Sequence, residues 1–185
     1  SDVCSSDLKK MDLEDFFNAV KTKNELKVIR GCESGLTNVQ NDKLWTAAFL
    51  AVFYSNRKIL EILVGYGADL NTTLKGGSTL LMWACVDDDD EYVEDNSDIV
   101  QYLLDHGANP TIQAEDLDGW TAASVAVHYQ NIKALTLVAV NDVLEIKDDD
   151  NRTALDLAVE YNYPECIAVL KSASAWKYQI GRAHV

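Results

Sequence analysis

The sequence predicts an all-α repeat fold: a solenoid of about five stacked helix-turn-helix units joined by β-hairpin-like loops. Three recurring features carry the prediction. A Thr stands five residues ahead of an Ala at Thr46/Ala51, Thr79/Ala84, Thr121/Ala126 and Thr153/Ala158, and the threonines are 33, 42 and 32 residues apart. An apolar pair follows in each unit, at Ile59-Leu60, Ile99-Val100, Ala134-Leu135 and Ile167-Ala168. Two units then close on a glycine, with GADLN at 67–71 and GANPT at 107–111. A single helix-turn-helix cannot bury its own apolar faces, so stability has to come from stacking neighbours.

The alanines are small where two helices must approach closely, and the aliphatics recur at three- and four-residue spacing on one face of a second helix. Gly67 and Gly107 stand just past helical segments, where a left-handed C-cap is wanted. A weaker unit precedes these four: Phe16, Phe17, Ala19, Val28, Ile29 and the stretch 35–38 keep the same spacings. Units are therefore expected at about 11–40, 41–73, 74–114, 115–147 and 148–176, in a single array over 11–178. The Phe16-Phe17 unit and the unit ending near Trp176 are read as its caps, and Trp83 falls at a register expected to lie in the core.

Taken together, these residues resemble the ankyrin repeat, whose pattern opens the first helix with T-P-L-H-x-A and closes the second with G-A-D-x-N. The resemblance covers about residues 13–175. No unit has Pro after the Thr, the third lacks its closing Gly-Ala, and Leu44 replaces a turn glycine. The resemblance implies protein recognition, with partners held by the hairpin tips and first helices along a concave surface. It places Trp45, Ser78, Trp120 and Arg152 on that surface, with Phe53-Tyr54, Val86-Asp87, His128-Tyr129 and Glu160-Tyr161. Aromatics dominate binding hot spots because they bury much area at little entropic cost, so Trp45, Tyr54, Trp120, Tyr129 and Tyr161 are the candidate partner contacts.

Charge narrows the partner class. The chain carries a formal net charge of −14. No basic stripe is available to displace counterions, so no nucleic-acid partner is expected. Glu115, Asp116 and Asp118 precede the third Thr, and Asp148, Asp149 and Asp150 precede the fourth. Adjacent hairpins should project these carboxylates side by side and draw in a basic segment of a partner protein. A further acidic stretch, residues 87–98, lengthens the second unit and reads as a loop between its two helices. An EF-hand loop would need Gly and Glu where Tyr92 and Asp98 stand, so a solvated loop is expected, with Ser97 or Asp98 capping the second helix.

Cys32, Cys85 and Cys166 lie far apart and form no CxxC pair, which fits reduced thiols packed as small hydrophobes and speaks against a disulfide framework or zinc knuckle. Neither a membrane-length apolar run nor a signal-peptide pattern is present, so a cytoplasmic or nuclear monomer is expected. None of the P-loop, G-x-G-x-x-G, G-x-S-x-G or H-E-x-x-H motifs occurs, and no enzyme activity, metal or cofactor is expected. The alternative reading is a targeting or regulatory segment of a larger enzyme or ubiquitin-ligase adaptor. The ends support it: DNA that encodes residues 2–8 has a reverse complement that encodes residues 179–185, and this DNA resembles a sequencing-library adapter. Residues 1–10 and 179–185 are accordingly read as an artificial lead and tail, and setting aside Asp2, Asp7 and Arg182 moves the charge from −14 to −13.

Overall fold

The computed structural model describes residues 11–86, 96–140 and 142–182, with side chains as far as residue 175. Outside the described residues lie 1–10 and 183–185, which hold most of the supposed artificial ends, and 87–95, the bulk of the acidic stretch. Ten α-helices and one 3₁₀ turn, and no strand, occur among the described residues. The chain divides into two compact units, residues 1–69 and residues 70–185.

The threonines that set the repeat register are helix N-caps. Thr46, Thr79, Thr121 and Thr153 accept through Oγ1 from the backbone N–H of Phe49, Met82, Ser124 and Asp156 at 3.2, 3.2, 3.5 and 3.2 Å. Each bond satisfies a donor that the helix leaves open, and a Thr-to-Ala change at such a cap costs about 1 kcal/mol. A second series escaped the sequence reading. Asn24, Asn56 and Asn131 cap the second helices of their pairs by accepting from Lys27, Ile59 and Ala134. Asn96 holds the same place ahead of α6, so the helix is entered through Asn96 rather than through Ser97 or Asp98, although the Asn96 side chain makes no capping bond.

In the first unit, α1 (Leu13–Lys21) pairs with α2 (Glu25–Glu33), and α3 (Ala47–Phe53) pairs with α4 (Arg57–Gly65). First helix packs on first helix and second on second, in two layers. Phe16, Ala19, Val20, Val28, Ala51, Leu60 and Leu63 fill the space between. Gly31 lies under the Phe16 ring so closely that any Cβ would strike it. The opening helix differs from the other first helices, because Asp12 rather than a Thr caps it, accepting from Asp15 at 2.7 Å.

The second unit repeats the layering with α5 (Leu80–Ala84), α6 (Ser97–Asp105), α7 (Ala122–His128), α8 (Ile132–Val138), α9 (Ala154–Glu160) and α10 (Pro164–Arg182). Ala84, Ala126 and Ala158 are fully buried at the crossings, as their size requires. The apolar pair expected at Ile167-Ala168 is displaced by one residue: Cys166 and Leu170 are buried, while Ala168 faces solvent. Pro164 opens α10 at the first helical position, where its missing N–H costs nothing. The helix then runs to Arg182, past the end expected at 178. Cys32, Cys85 and Cys166 are free, buried thiols, and burial raises the pKa of all three.

Candidate functional site

Each hairpin ahead of a first helix carries the same closing backbone bond: Asn41 N to Trp45 O at 3.0 Å, Leu74 N to Ser78 O at 2.9 Å, Ala114 N to Trp120 O at 2.9 Å and Asp148 N to Arg152 O at 2.8 Å. The residue two before the capping Thr sits in the left-handed region every time, with φ of 61° at Leu44, 94° at Gly77, 75° at Gly119 and 63° at Asn151. Glycine and asparagine accept this readily, and leucine does so at a cost. The substitution noted at Leu44 thus leaves the turn geometry intact and strains one residue.

In the second unit the hairpins are tied in a row. Asp116 N donates to Gly76 O and Asp149 N to Asp118 O, both at 2.9 Å. Gln113 Nε2 bridges Gly119 O at 2.7 Å and Lys147 O at 2.8 Å. Glu115, Asp116, Asp118, Asp149 and Asp150 are exposed along this row. Asp148 is a correction to the expected group. Its side chain is only 1% accessible. Asp148 Oδ1 accepts from Asp150 N at 3.0 Å and Arg152 N at 2.8 Å, while Oδ2 takes Arg152 Nε at 3.0 Å. All of its acceptor capacity goes to folding the hairpin, leaving none for a partner. Asn41, five residues before Thr46 as Asp148 is before Thr153, does the same with Lys43 N and Trp45 N. That shared position was the signal for its structural role.

The aromatic candidates fall into two groups, one in each unit. In the first unit Trp45, half-buried, lies on its own helix, 4.9 Å from Phe49 and 5.7 Å from Phe53 between ring centroids. Phe53 meets Tyr54 edge-on at 5.2 Å, and the two are 45% and 40% exposed. Lys43 Nζ lies 5.3 Å from the Trp45 ring centroid, within cation–π range.

In the second unit Trp120 lies 5.1 Å from His128, which lies 5.1 Å from Tyr129 and 6.0 Å from Tyr161. His128 thereby joins three aromatics that the sequence singles out, a role the sequence reading did not give it. Trp83 is a second correction. It sits half-exposed near the end of the five-residue α5 rather than in the core. With Trp120, His128 and Tyr129 it lines a groove of about 470 Å³, which also takes in Ser78 and Asp116.

Helix pairs stacked like on like, with capped hairpins that carry the exposed chemistry, define a helical repeat scaffold. The family model for ankyrin repeats (three copies) matches residues 16–114 and 91–179. The chain belongs to the ankyrin-repeat family, whose members are generally non-catalytic protein–protein interaction modules. It is 30% identical over 142 residues to the nuclear factor NF-kappa-B p105 subunit of chicken (Gallus gallus), an alignment that covers 75% of this chain. The chain spans about 14% of the length of that relative. Among the described residues, no helix is long and apolar enough to cross a membrane.

Proposed function

We propose that the chain is a non-catalytic recognition module that holds a basic segment of a partner protein against the hairpin and first-helix side of residues 70–182. The observation that carries this reading is the junction at Asp116, where the acidic hairpin row meets the groove lined by Trp120, His128 and Tyr129. Aromatic rings supply contact area, and the carboxylates of Glu115, Asp116, Asp118, Asp149 and Asp150 supply attraction and orientation. Tyr161 extends the aromatic run through His128. Trp45 and Tyr54 form a separate aromatic surface, within reach of partners of the first unit.

A binding measurement across a range of salt tests the proposal, using one lysine- and arginine-rich peptide and one acidic peptide of equal length. The basic peptide should bind tighter and weaken with salt. Neutralising Glu115, Asp118, Asp149 and Asp150 together, as Gln and Asn, should slow its association about tenfold. Equal binding of the acidic peptide, or no change in the neutralised variant, would overturn the reading.

A second reading has its own support. Since the aligned relative is far longer than this chain, the array is also suited to serve as the recognition segment of a larger protein. The relative's name, nuclear factor, supports the nucleus beside the cytoplasm as the proposed compartment. Sequencing the transcript outward from both ends separates the two: a continuing reading frame supports the segment, and a stop soon after Trp176 supports a free-standing module.

A further inference from the structure

We propose that the groove lined by Trp83 and Trp120 receives an arginine side chain, its guanidinium lying against the Trp120 indole and paired with the Asp116 carboxylate. The inference rests on the basic-partner reading and gives it an anchor residue. Among the described residues the groove wall contains aromatic and aliphatic side chains, one carboxylate and no Lys or Arg, and His128 and Tyr129 are its other titratable groups. A cation is the charge that such a wall attracts, through the ring faces and the carboxylate at once.

Asp116 is held in place for this role. Its N–H donates to Gly76 O at 2.9 Å, and its Oδ1 lies 3.3 Å from Ser78 Oγ, a side chain that is itself 7% exposed. Gly76, at φ 100°, carries no Cβ to displace the carboxylate that rests against it. The chain also shows the arrangement once within itself. Trp45 occupies the register of Trp120 and has Lys43 over its ring, whereas among the described residues no cation lies over Trp120. In the second unit the cation has to come from a partner.

Arginine fits better than lysine on physical grounds. Its guanidinium is planar, more weakly hydrated, and forked to match a carboxylate, so it loses less on entering a mostly apolar groove. The neighbouring carboxylates Glu115, Asp118, Asp149 and Asp150 would then guide the flanking basic residues.

The test titrates the whole chain with oligoarginine and with oligolysine of equal length. It follows affinity together with the indole N–H resonance of Trp120, assigned by its disappearance in Trp120→Phe. The expected result is saturable binding that shifts the Trp120 resonance, with oligoarginine at least about fivefold tighter than oligolysine. Asp116→Asn, which can keep the backbone bond to Gly76, should remove most of that preference while its circular dichroism stays unchanged. If both peptides bind equally in a salt-sensitive manner and the Trp120 resonance stays still, the basic-partner reading survives and the arginine anchor is overturned. If neither peptide binds, both fall together.

Discussion

Trp45 and Trp120 hold the same place in their repeats, one residue before the capping threonine, and each reaches a ring eight residues on, Phe53 or His128. Their neighbours differ in charge. Beside Trp45 the hairpin supplies Lys43, whose ammonium lies over the indole. Beside Trp120 the hairpin supplies Asp116, on the wall of an open groove. One aromatic surface is thus partly closed by the chain's own cation, and the other pairs aromatic faces with a carboxylate. Repeats that keep one backbone register can present opposite demands, because the residues that set the charge lie in the hairpin and bear little on the helix packing.

Changes at matched hairpin positions can break or sharpen this comparison. The largest effect should come from Asp148, which folds its hairpin as Asn41 folds the first one. Asp148→Ala strips acceptors from two backbone N–H groups and from Arg152, and should cost about 2 kcal/mol in urea unfolding. Asp148→Asn should cost about 1 kcal/mol, since a neutral amide can still accept as Asn41 does. Equal losses for the two would show that the charge pair with Arg152 matters more than the turn.

Next comes the left-handed residue of the same hairpins. Gly77→Ala should lower stability by about 1–2 kcal/mol, because a Cβ there would lie 2.9 Å from Glu115 N at a φ of 94°. Leu44→Gly should raise it by about 0.5 kcal/mol, since relief of strain outweighs the added freedom of the unfolded chain. A loss at Leu44→Gly would mean that its side chain, 41% exposed, contributes contacts worth more than the strain.

The smallest effect distinguishes the caps by pH. Thr153 donates from its backbone N–H to Asp156 Oδ2 at 2.9 Å and from its hydroxyl at 2.7 Å, and these bonds hold the Asp156 carboxyl below its usual range. A depressed pKa contributes stability that is present above the unfolded value, near about 4, and is lost as pH falls through the folded value. Asp156→Asn should therefore flatten the acid limb of the stability profile between about pH 5 and pH 3. In the first unit the matching residue is Phe49, so Phe49→Leu should leave that limb's slope unchanged.

The fold was legible because its signals are periodic. Thr46, Thr79, Thr121 and Thr153 mark helix starts by a mechanism that does not depend on context, and Ala51, Ala84, Ala126 and Ala158 mark crossings by size. The site was legible only as a register. Trp120, Tyr129 and Tyr161 were singled out by position, while His128, placed on the same surface, was left out of the candidate contacts because its ring contacts depend on three dimensions. Asp148 was misread because charge counts as exposed in a sequence, although its match to Asn41 pointed to a turn. Trp83 was misplaced because register alone takes no account of how short α5 is. Cys166 and Leu170 escaped because the pairing of Ile167 with Ala168 slipped the helix face by one residue.

The most direct test of a basic partner on the second unit compares Trp120→Ala with Trp45→Ala, each shown by circular dichroism to be folded, for affinity toward one arginine-rich peptide. The account predicts a loss of about tenfold or more for Trp120→Ala and less than about twofold for Trp45→Ala. Equal losses, or a larger loss at Trp45, would contradict it and move recognition to the first unit.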